Sequence, residues 1–464
     1  MVFESEGSPH KSGNESQQID EVDREMKRKH EEAAGFDGPR RWARELRELL
    51  GVEGEPGGRA ESGQKIERNN QESKGAASPL DNEHNSSIAR RNIEKKGGKG
   101  RKQEAIKVLL RRKIVRGELR PGELLPRRVD LAEMLGTSNV TIQSVMDELI
   151  EDGFLRAVRG QGTFVADRGP HVSRYGVVVP GGERGEKRRY SQFWEAICVA
   201  ARELAAATEC EFPIFDTQDL SSEGKLDRDL RNDRLAGLIF ADAPHAEGMS
   251  VFRKASLPTV AVVAESTSTE MPVVHLDMRG FMNRAVDHLA DNGCQKLALL
   301  TARGSRGTRE HLHQCTQKHQ IAVRPYWVLS IDPWSTEAVI TFVQLLMSND
   351  KDRPDGIIIA DDNLVPQATT GLRASGLRVA EDVQLIAYTN YPSPPTSHTP
   401  VTRLGIDARE VLKECILQID LQRKGEPPAP ATYVDPRFET EIDPEAQILS
   451  LQRNWENEPE VVSM

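Results

Sequence analysis

The sequence predicts a multidomain chain: a disordered N-terminal tail, a small α+β unit, then a larger α/β unit. Three observations predict it. Residues 1 to about 100 are rich in Gly, Ser, Asn, Glu, Lys and Arg, with too few apolar residues to bury a core. Apolar stripes of helical period, closed by a hairpin pattern, run from Gln103 to Ala166. From Tyr175 onward, short apolar runs alternate with amphipathic helices and lack hairpin turns, which implies parallel sheets covered by helices. A length of 464 residues fits this division, at roughly 100–200 residues per domain.

In the tail, RRWARELRELL (40–50) places Trp42, Leu46, Leu49 and Leu50 at helical spacing, a short amphipathic helix in a chain that is otherwise disordered over 1–102. Its end is basic: Arg90, Arg91, Lys95, Lys96, Lys99, Arg101 and Lys102 stand against Glu94 alone. Ile106, Leu109, Leu110 and Ile114 then form the stripe of a first helix that stops at Gly117. After the Pro121-Gly122 turn, a short helix covers Arg127 to Leu135 and breaks at Gly136. Ser138 is placed to cap a third helix, Asn139–Asp152. FLRAVRGQGTFVAD reads as a hairpin with Arg-Gly-Gln-Gly at its tip. Helix, helix, turn, helix, hairpin is the order of a winged helix-turn-helix, here spanning 103–166.

A linker, 167–174, leads to the α/β unit at 175–442. Its strands are expected at Tyr175–Val179, Phe212–Phe215, Gly237–Phe240, Thr259–Val263, Val273–Leu276, Lys296–Thr301, Trp327–Ile331, Gly356–Ala360 and Val383–Tyr388. Helices are expected at Phe193–Ala207, Gly280–Asn292, Thr336–Asn349 and Pro366–Ser375, with a tail at 443–464.

Composition narrows the function. A net charge of -10 excludes a uniformly basic coat for nucleic acid and leaves room for a local patch. No run of about 18 apolar residues occurs, so no membrane partner is expected. The N-terminus lacks the basic start and apolar core of a secretory signal. Cys198, Cys210, Cys294, Cys315 and Cys415 are dispersed without a C-x-x-C pair, which fits a reducing cytoplasm. No Walker loop, G-x-S-x-G elbow or H-E-x-x-H is present, so no catalytic residue and no cofactor is expected. His311, His313, Cys315 and His319 crowd one stretch, but no second cluster completes a metal site, and none is expected.

GELRPGELLP (117–126), DLAEMLGTSNVTIQ (130–143), ELIEDGFL (148–155) and RGQGTFV (159–165) together resemble the DNA-binding domain of the GntR family of bacterial transcription factors. The resemblance implies a double-stranded DNA operator, read by the helix that Ser138 opens. Candidate DNA-binding residues are Arg127, Arg128, Ser138, Asn139, Thr141, Gln143, Arg159, Gly160 and Gln161. The family often carries arginine where this chain has Val129, Asn139 and Gln143. Arginine suits guanine, whereas Asn and Gln suit adenine, so a different operator preference is expected.

YGVVVP (175–180), YSQFWEAI (190–197), LAGLIF (235–240), LPTVAVV (257–263), VVHLDMRGFMNRAVDHLADNGCQKLALLT (273–301), RPDGIIIADDNLVPQA (353–368) and GLRVAEDVQLIAY (376–388) resemble the sensor domain of LacI/GalR regulators. That domain has the two-lobed periplasmic-binding-protein fold, and GntR heads joined to such sensors form the AraR-like architecture. The resemblance implies a small-molecule effector, a sugar or a derivative, between the lobes, and a homodimer that represses transcription. Carried over one at a time, the ligand-binding candidates are Asp362 after strand Gly356–Ala360, Asp277 near the hinge, and Arg309, with Arg303 or Arg306 as its substitutes. Phe193 and Trp194 open the first helix, where aromatic rings stack on sugar C–H faces. Two other readings stay open: a DNA-binding dimer blind to ligand, and a regulator binding pyridoxal phosphate, which needs a Schiff-base lysine and more chain than is present.

Overall fold

The structure, a computed structural model, describes residues 44–46, 48–49, 98–180, 191–216, 224–242, 257–264, 271–302, 306–427 and 432–443. Trp42, Leu50, Arg90–Gly97, Arg303 and the tail beyond Asp443 lie outside these residues. Two compact units divide the chain between Val172 and Ser173, with Arg231–Arg234 grouped with the first.

In the first unit, α1 (Gly98–Val115) starts five residues before the expected Gln103. Lys102, assigned to the tail by its charge, lies on α1 and donates from Nζ to the Gly136 carbonyl. Ala105, Ile106, Leu109, Leu110 and Ile114 form its buried stripe. α2 (Arg128–Met134) buries Leu131 and Ala132, and α3 (Asn139–Glu151) buries Ile142, Val145, Met146 and Leu149. Gly136, at φ 58°, makes the turn between them, in a region that favours glycine. β1 (Leu155–Val158) and β2 (Gly162–Val165) pair antiparallel as the wing. Leu125 donates to Thr163 O (2.9 Å) and Val165 to Glu123 O (2.9 Å), which ties the segment before α2 to the wing.

Residues 44–46, 48 and 49 are helical, inside the segment expected to be an amphipathic helix. Leu46 and Leu49 are buried in the same apolar core as α1–α3. Glu45 pairs with Lys113 (2.9 Å), whose side chain is only 3% exposed and also meets Glu118 (3.0 Å). Burial of a leucine side chain contributes about 1.5–3 kcal/mol, so these residues are a working part of the head's core.

The second unit has two six-stranded sheets. The first lobe uses β3 (Tyr175–Val179), β4 (Ile214–Asp216), β5 (Gly237–Phe240), β6 (Thr259–Val263), β7 (Val273–Leu276) and, from far along the chain, β13 (Thr432–Val434). Its order is β13-β7-β6-β5-β3-β4, all parallel. The second lobe uses β8 (Leu297–Thr301), β9 (Val328–Ser330), β10 (Gly356–Ile359), β11 (Gln384–Tyr391), β12 (Thr402–Asp407) and β14 (Arg437–Phe438). Its order is β14-β12-β11-β10-β8-β9, antiparallel only at β12–β14. Strands such as β3, β5, β8 and β10 are buried along their whole length, as parallel strands covered on both faces must be.

Helices fill the crossovers: α4 (Gln192–Ala207), α5 (Lys225–Arg231), α6 (Met278–Asp291), α7 (Arg306–Lys318), α8 (Thr336–Met347), α9 (Val365–Ala374) and α10 (Ala408–Arg423). The backbone crosses between lobes three times: at Asp277 between β7 and α6, at Asp407–Ala408 where β12 gives way to α10 and the first lobe's sheet, and between β13 and β14. Gly405 on β12 packs so closely on β11 that any Cβ would meet the Thr389 carbonyl oxygen at 1.7 Å.

The expected linker needs correction at its end. Arg174 is buried, donating to Glu211 (2.9 Å) and Asp229 (2.9 Å), so it belongs to the first lobe. Among the described residues no helix is long and apolar enough to cross a membrane.

Candidate functional site

The head presents a polar surface at the start of α3. Ser138 caps the helix, its Oγ accepting from the Thr141 amide (3.2 Å) and lying 2.9 Å from the Thr141 hydroxyl. Thr141 is buried and committed to this cap, so it shapes the helix start rather than projecting from it. Asn139 is exposed on the first turn. Gln143 is half-buried and donates to Asp147 Oδ1 (2.6 Å), while its Oε1 has no partner among the described residues. Arg127 and Arg128 are exposed at the start of α2. Arg159, Gly160 and Gln161 are exposed at the wing tip, where Gln161 N donates to Val158 O (3.0 Å) to close the turn. Gly160 has φ 79° there, which an L side chain rarely adopts. A helix start with the exposed amide side chain of Asn139, flanked by exposed guanidinium groups, suits base edges within a phosphate-lined groove.

The sensor candidates fall in three places. Phe193 and Trp194 are half-buried at the start of α4, against the main core. Beside them the backbone amide of Gln192 donates to Asn363 Oδ1 (3.0 Å), a hydrogen bond between the two lobes. Asn363 also donates to Asp361 (2.8 Å) and Asp362 (3.4 Å) in the turn after β10. Asp362 itself is buried and accepts from Asn390 Nδ2 (2.6 Å). Burial and the neighbouring Asp361 push its carboxyl up to about 7, against the opposing pull of the Asn390 hydrogen bond. Asn390 Oδ1 is buried with no partner among the described residues, an acceptor open to a further donor. Asp361, half-buried, is the more accessible of the two acids.

Asp277 lies at a lobe crossing. Its carboxylate accepts from Gly280 N (2.8 Å) to cap α6, and its amide donates to Val434 O (3.1 Å). Arg309 is exposed on α7; Arg306, its substitute, pairs with Glu310 (2.8 Å). A polar cluster at the β12–α10 crossing was not expected. Arg409 holds Asp407 through two bonds of 2.9 Å and reaches Glu203 on α4 at 3.3 Å. Asn363, Asn390 and Arg409 were missed as site residues; the run Asp361-Asp362-Asn363 was the signal for the first.

The crowded histidines mostly meet different partners, and within the cluster His311 Nε2 lies 3.6 Å from Cys315 Sγ. His311 meets Arg279 (3.3 Å), His313 meets Gln317 (3.0 Å), and His319 meets Asp287 (2.6 Å). Cys315 donates to Asn283 (3.0 Å). Among the described residues, no group of His, Cys, Asp and Glu is arranged to hold a metal ion.

The family model for bacterial regulatory proteins of the GntR family matches residues 102–165. The model for a periplasmic binding protein-like domain matches 286–439. The arabinose metabolism transcriptional repressor of Geobacillus stearothermophilus is 22% identical over 348 residues, covering 68% of this chain and 90% of that protein. The transcriptional repressor PurR of Photobacterium profundum is 30% identical over 185 residues, covering 37% of this chain and 54% of that repressor. A LacI-family regulatory protein from Chloroflexus aggregans superposes with a TM-score of 0.46 at 18% identity, covering 56% of this chain and 96% of that one. The chain thus joins a GntR-family DNA-binding head to a periplasmic-binding-protein-like domain, the architecture of a DNA-binding transcriptional regulator.

Proposed function

We propose that this protein is an operator-binding repressor controlled by a small polyhydroxylated effector, a sugar or a sugar derivative, bound between the lobes of its second unit. The observation that carries the reading is the buried polar group at the strand ends of that unit. Asp362, Asn390 and Asn363 converge there, Asn390 keeps one acceptor unfilled, and Phe193 and Trp194 stand at the facing helix start. Ligands of open α/β sheets bind outside the carboxyl ends of the strands, and polar groups among aromatic rings suit sugars. The sugar-metabolism role named for the Geobacillus relative supports the same class of effector.

Effector control requires that the ligand bind one lobe arrangement better than another. The hydrogen bond from Gln192 to Asn363 is a contact that such a rearrangement would make or break. The proposed assembly is a homodimer, because paired half-sites match a two-fold protein. Phe342 and Leu345, exposed on α8 at 43% and 63%, supply an apolar surface for it. This reading places the protein with its DNA in the cytoplasm and assigns it no cofactor and no catalytic step.

The test is a thermal-shift screen of the full chain against pentoses, hexoses and their phosphates, paired with selection of bound duplexes from a random DNA pool. Enrichment of one sequence and stabilisation by at least one sugar are expected. Enrichment without any stabilising sugar would favour a dimer blind to ligand.

A further inference from the structure

We propose that Val140 is a specificity-determining residue that reads the 5-methyl group of a thymine in the operator. This inference rests on the assignment of the head as a sequence-reading DNA-binding domain and names a reader within it.

Val140 is the second residue of α3, and 73% of it is exposed, the largest fraction among the exposed large apolar residues described. The rest of the helix is conventional. Ile142, Val145, Met146 and Leu149 turn inward to a close-packed core, so Val140 is not a core residue displaced by poor packing. Its surroundings are those of a groove-reading surface. Asn139 is exposed immediately before it, the Ser138–Thr141 cap fixes the first turn from both sides, and Arg127 and Arg128 are exposed at the start of the preceding helix. Val129, exposed at 60%, adds a second apolar side chain at that helix start. A branched apolar residue has no hydration to gain at the first turn of a water-facing helix, and alanine there would favour the helix more. In a major groove it has one specific partner. Thymine alone among the four bases carries an apolar methyl group on its groove edge.

The chemistry also fits what the head lacks. Neither first turn carries arginine at Val129, Asn139 or Gln143, so bidentate guanine contacts from those positions are absent. Gln143 spends its amide on Asp147. An adenine contact from Asn139 beside a thymine-methyl contact from Val140 would give this head an A/T-weighted half-site. The contact is stiff, because a β-branched side chain at a capped helix start has few rotamers to lose.

The experiment uses the full chain and a duplex selected by it from a random pool. Each thymine of the selected duplex is replaced in turn by deoxyuridine, which removes only the methyl group. Binding is measured by fluorescence anisotropy for wild type and Val140→Ala. Wild type should lose about fourfold in affinity at one thymine per half-site, the worth of one buried methyl group. Val140→Ala should bind thymine and uracil equally at that position and keep wild-type discrimination elsewhere. Its unchanged thermal unfolding would show that the fold is intact, as expected for an exposed site. Enrichment of a specific duplex with no uracil-sensitive position, or full thymine preference retained in Val140→Ala, would overturn the proposal alone. Failure to enrich any sequence would overturn it together with the DNA-reading assignment.

Discussion

The Asp362 carboxylate accepts a 2.6 Å hydrogen bond from the Asn390 side chain, and both residues are only 2% exposed. The two strand ends that carry them, those of β10 and β11, are thereby fixed to each other beneath the lobe surface. The bond leaves Asn390 Oδ1 without a donor among the described residues. A ligand hydroxyl reaching that oxygen would meet a site already oriented, which lowers the cost of ordering it on binding.

Asp362 makes the stability of the second unit depend on pH. Its carboxyl titrates at about 7 in the folded chain, above its ordinary value, because burial and Asp361 disfavour the charged form. The folded state therefore holds a proton that the unfolded state has lost, and stability rises as pH falls through about 7 toward the ordinary carboxylate range. Asp362→Asn removes this dependence. Calorimetry from about pH 8 to about pH 5 should show the wild-type unit gaining more stability than the variant on acidification. Parallel curves would place the charge in a better solvated environment than the structure gives it.

Asn139 should specify a base. Its side chain is free at the first turn, unlike that of Thr141, which is spent on the cap. Asn139→Arg should move the preferred base toward guanine at one position per half-site, with a discrimination of about 1–3 kcal/mol. Selection from a random pool with both proteins reads this directly. Identical consensus sequences would mean that α3 does not enter the groove by its first turn.

Much of this was legible in the sequence, for identifiable reasons. Ser138 announces α3, Gly136 the turn before it, and continuous apolar runs announce β3, β5, β8 and β10. α7 was not legible, because only Leu312, Cys315 and Thr316 along Arg306–Lys318 face inward. α10 was hidden differently. Arg409, Gln418 and Asp420 are buried on it, and polar residues on the inner face dilute the apolar period. The cleft was half legible. A carboxylate after a strand reads as a ligand acceptor, but its partner Asn390 lies 28 residues away and only the parallel pairing of β10 with β11 brings them together.

The N-terminal leucines should stabilise the head. Leu46 and Leu49 are 3% and 7% exposed in the core shared with α1–α3. Substituting a buried leucine by alanine typically costs about 2–5 kcal/mol, and a peripheral helix belongs at the low end. Leu46→Ala with Leu49→Ala should lower the unfolding temperature of the head and raise proteolysis there. An unchanged transition would mean that this helix adds nothing to the core.

Leu345 should hold the proposed dimer. Leu345→Asp puts a charge on an apolar surface of α8 that carries Phe342 as well. Sedimentation should show monomers, and operator affinity should fall because one head per protein meets one half-site. A dimer that persists would move the interface to another face.

A ligand in the cleft should change the grip on DNA. The most direct measurement is the dissociation constant of the full chain for its selected duplex, with and without the sugar that stabilises it most. A change of roughly 5–150-fold is expected, the usual range of coupling between two sites. On this reading Asp362→Ala keeps ligand-free affinity while losing most of that change. Equal affinity with and without a sugar already shown to bind would contradict it.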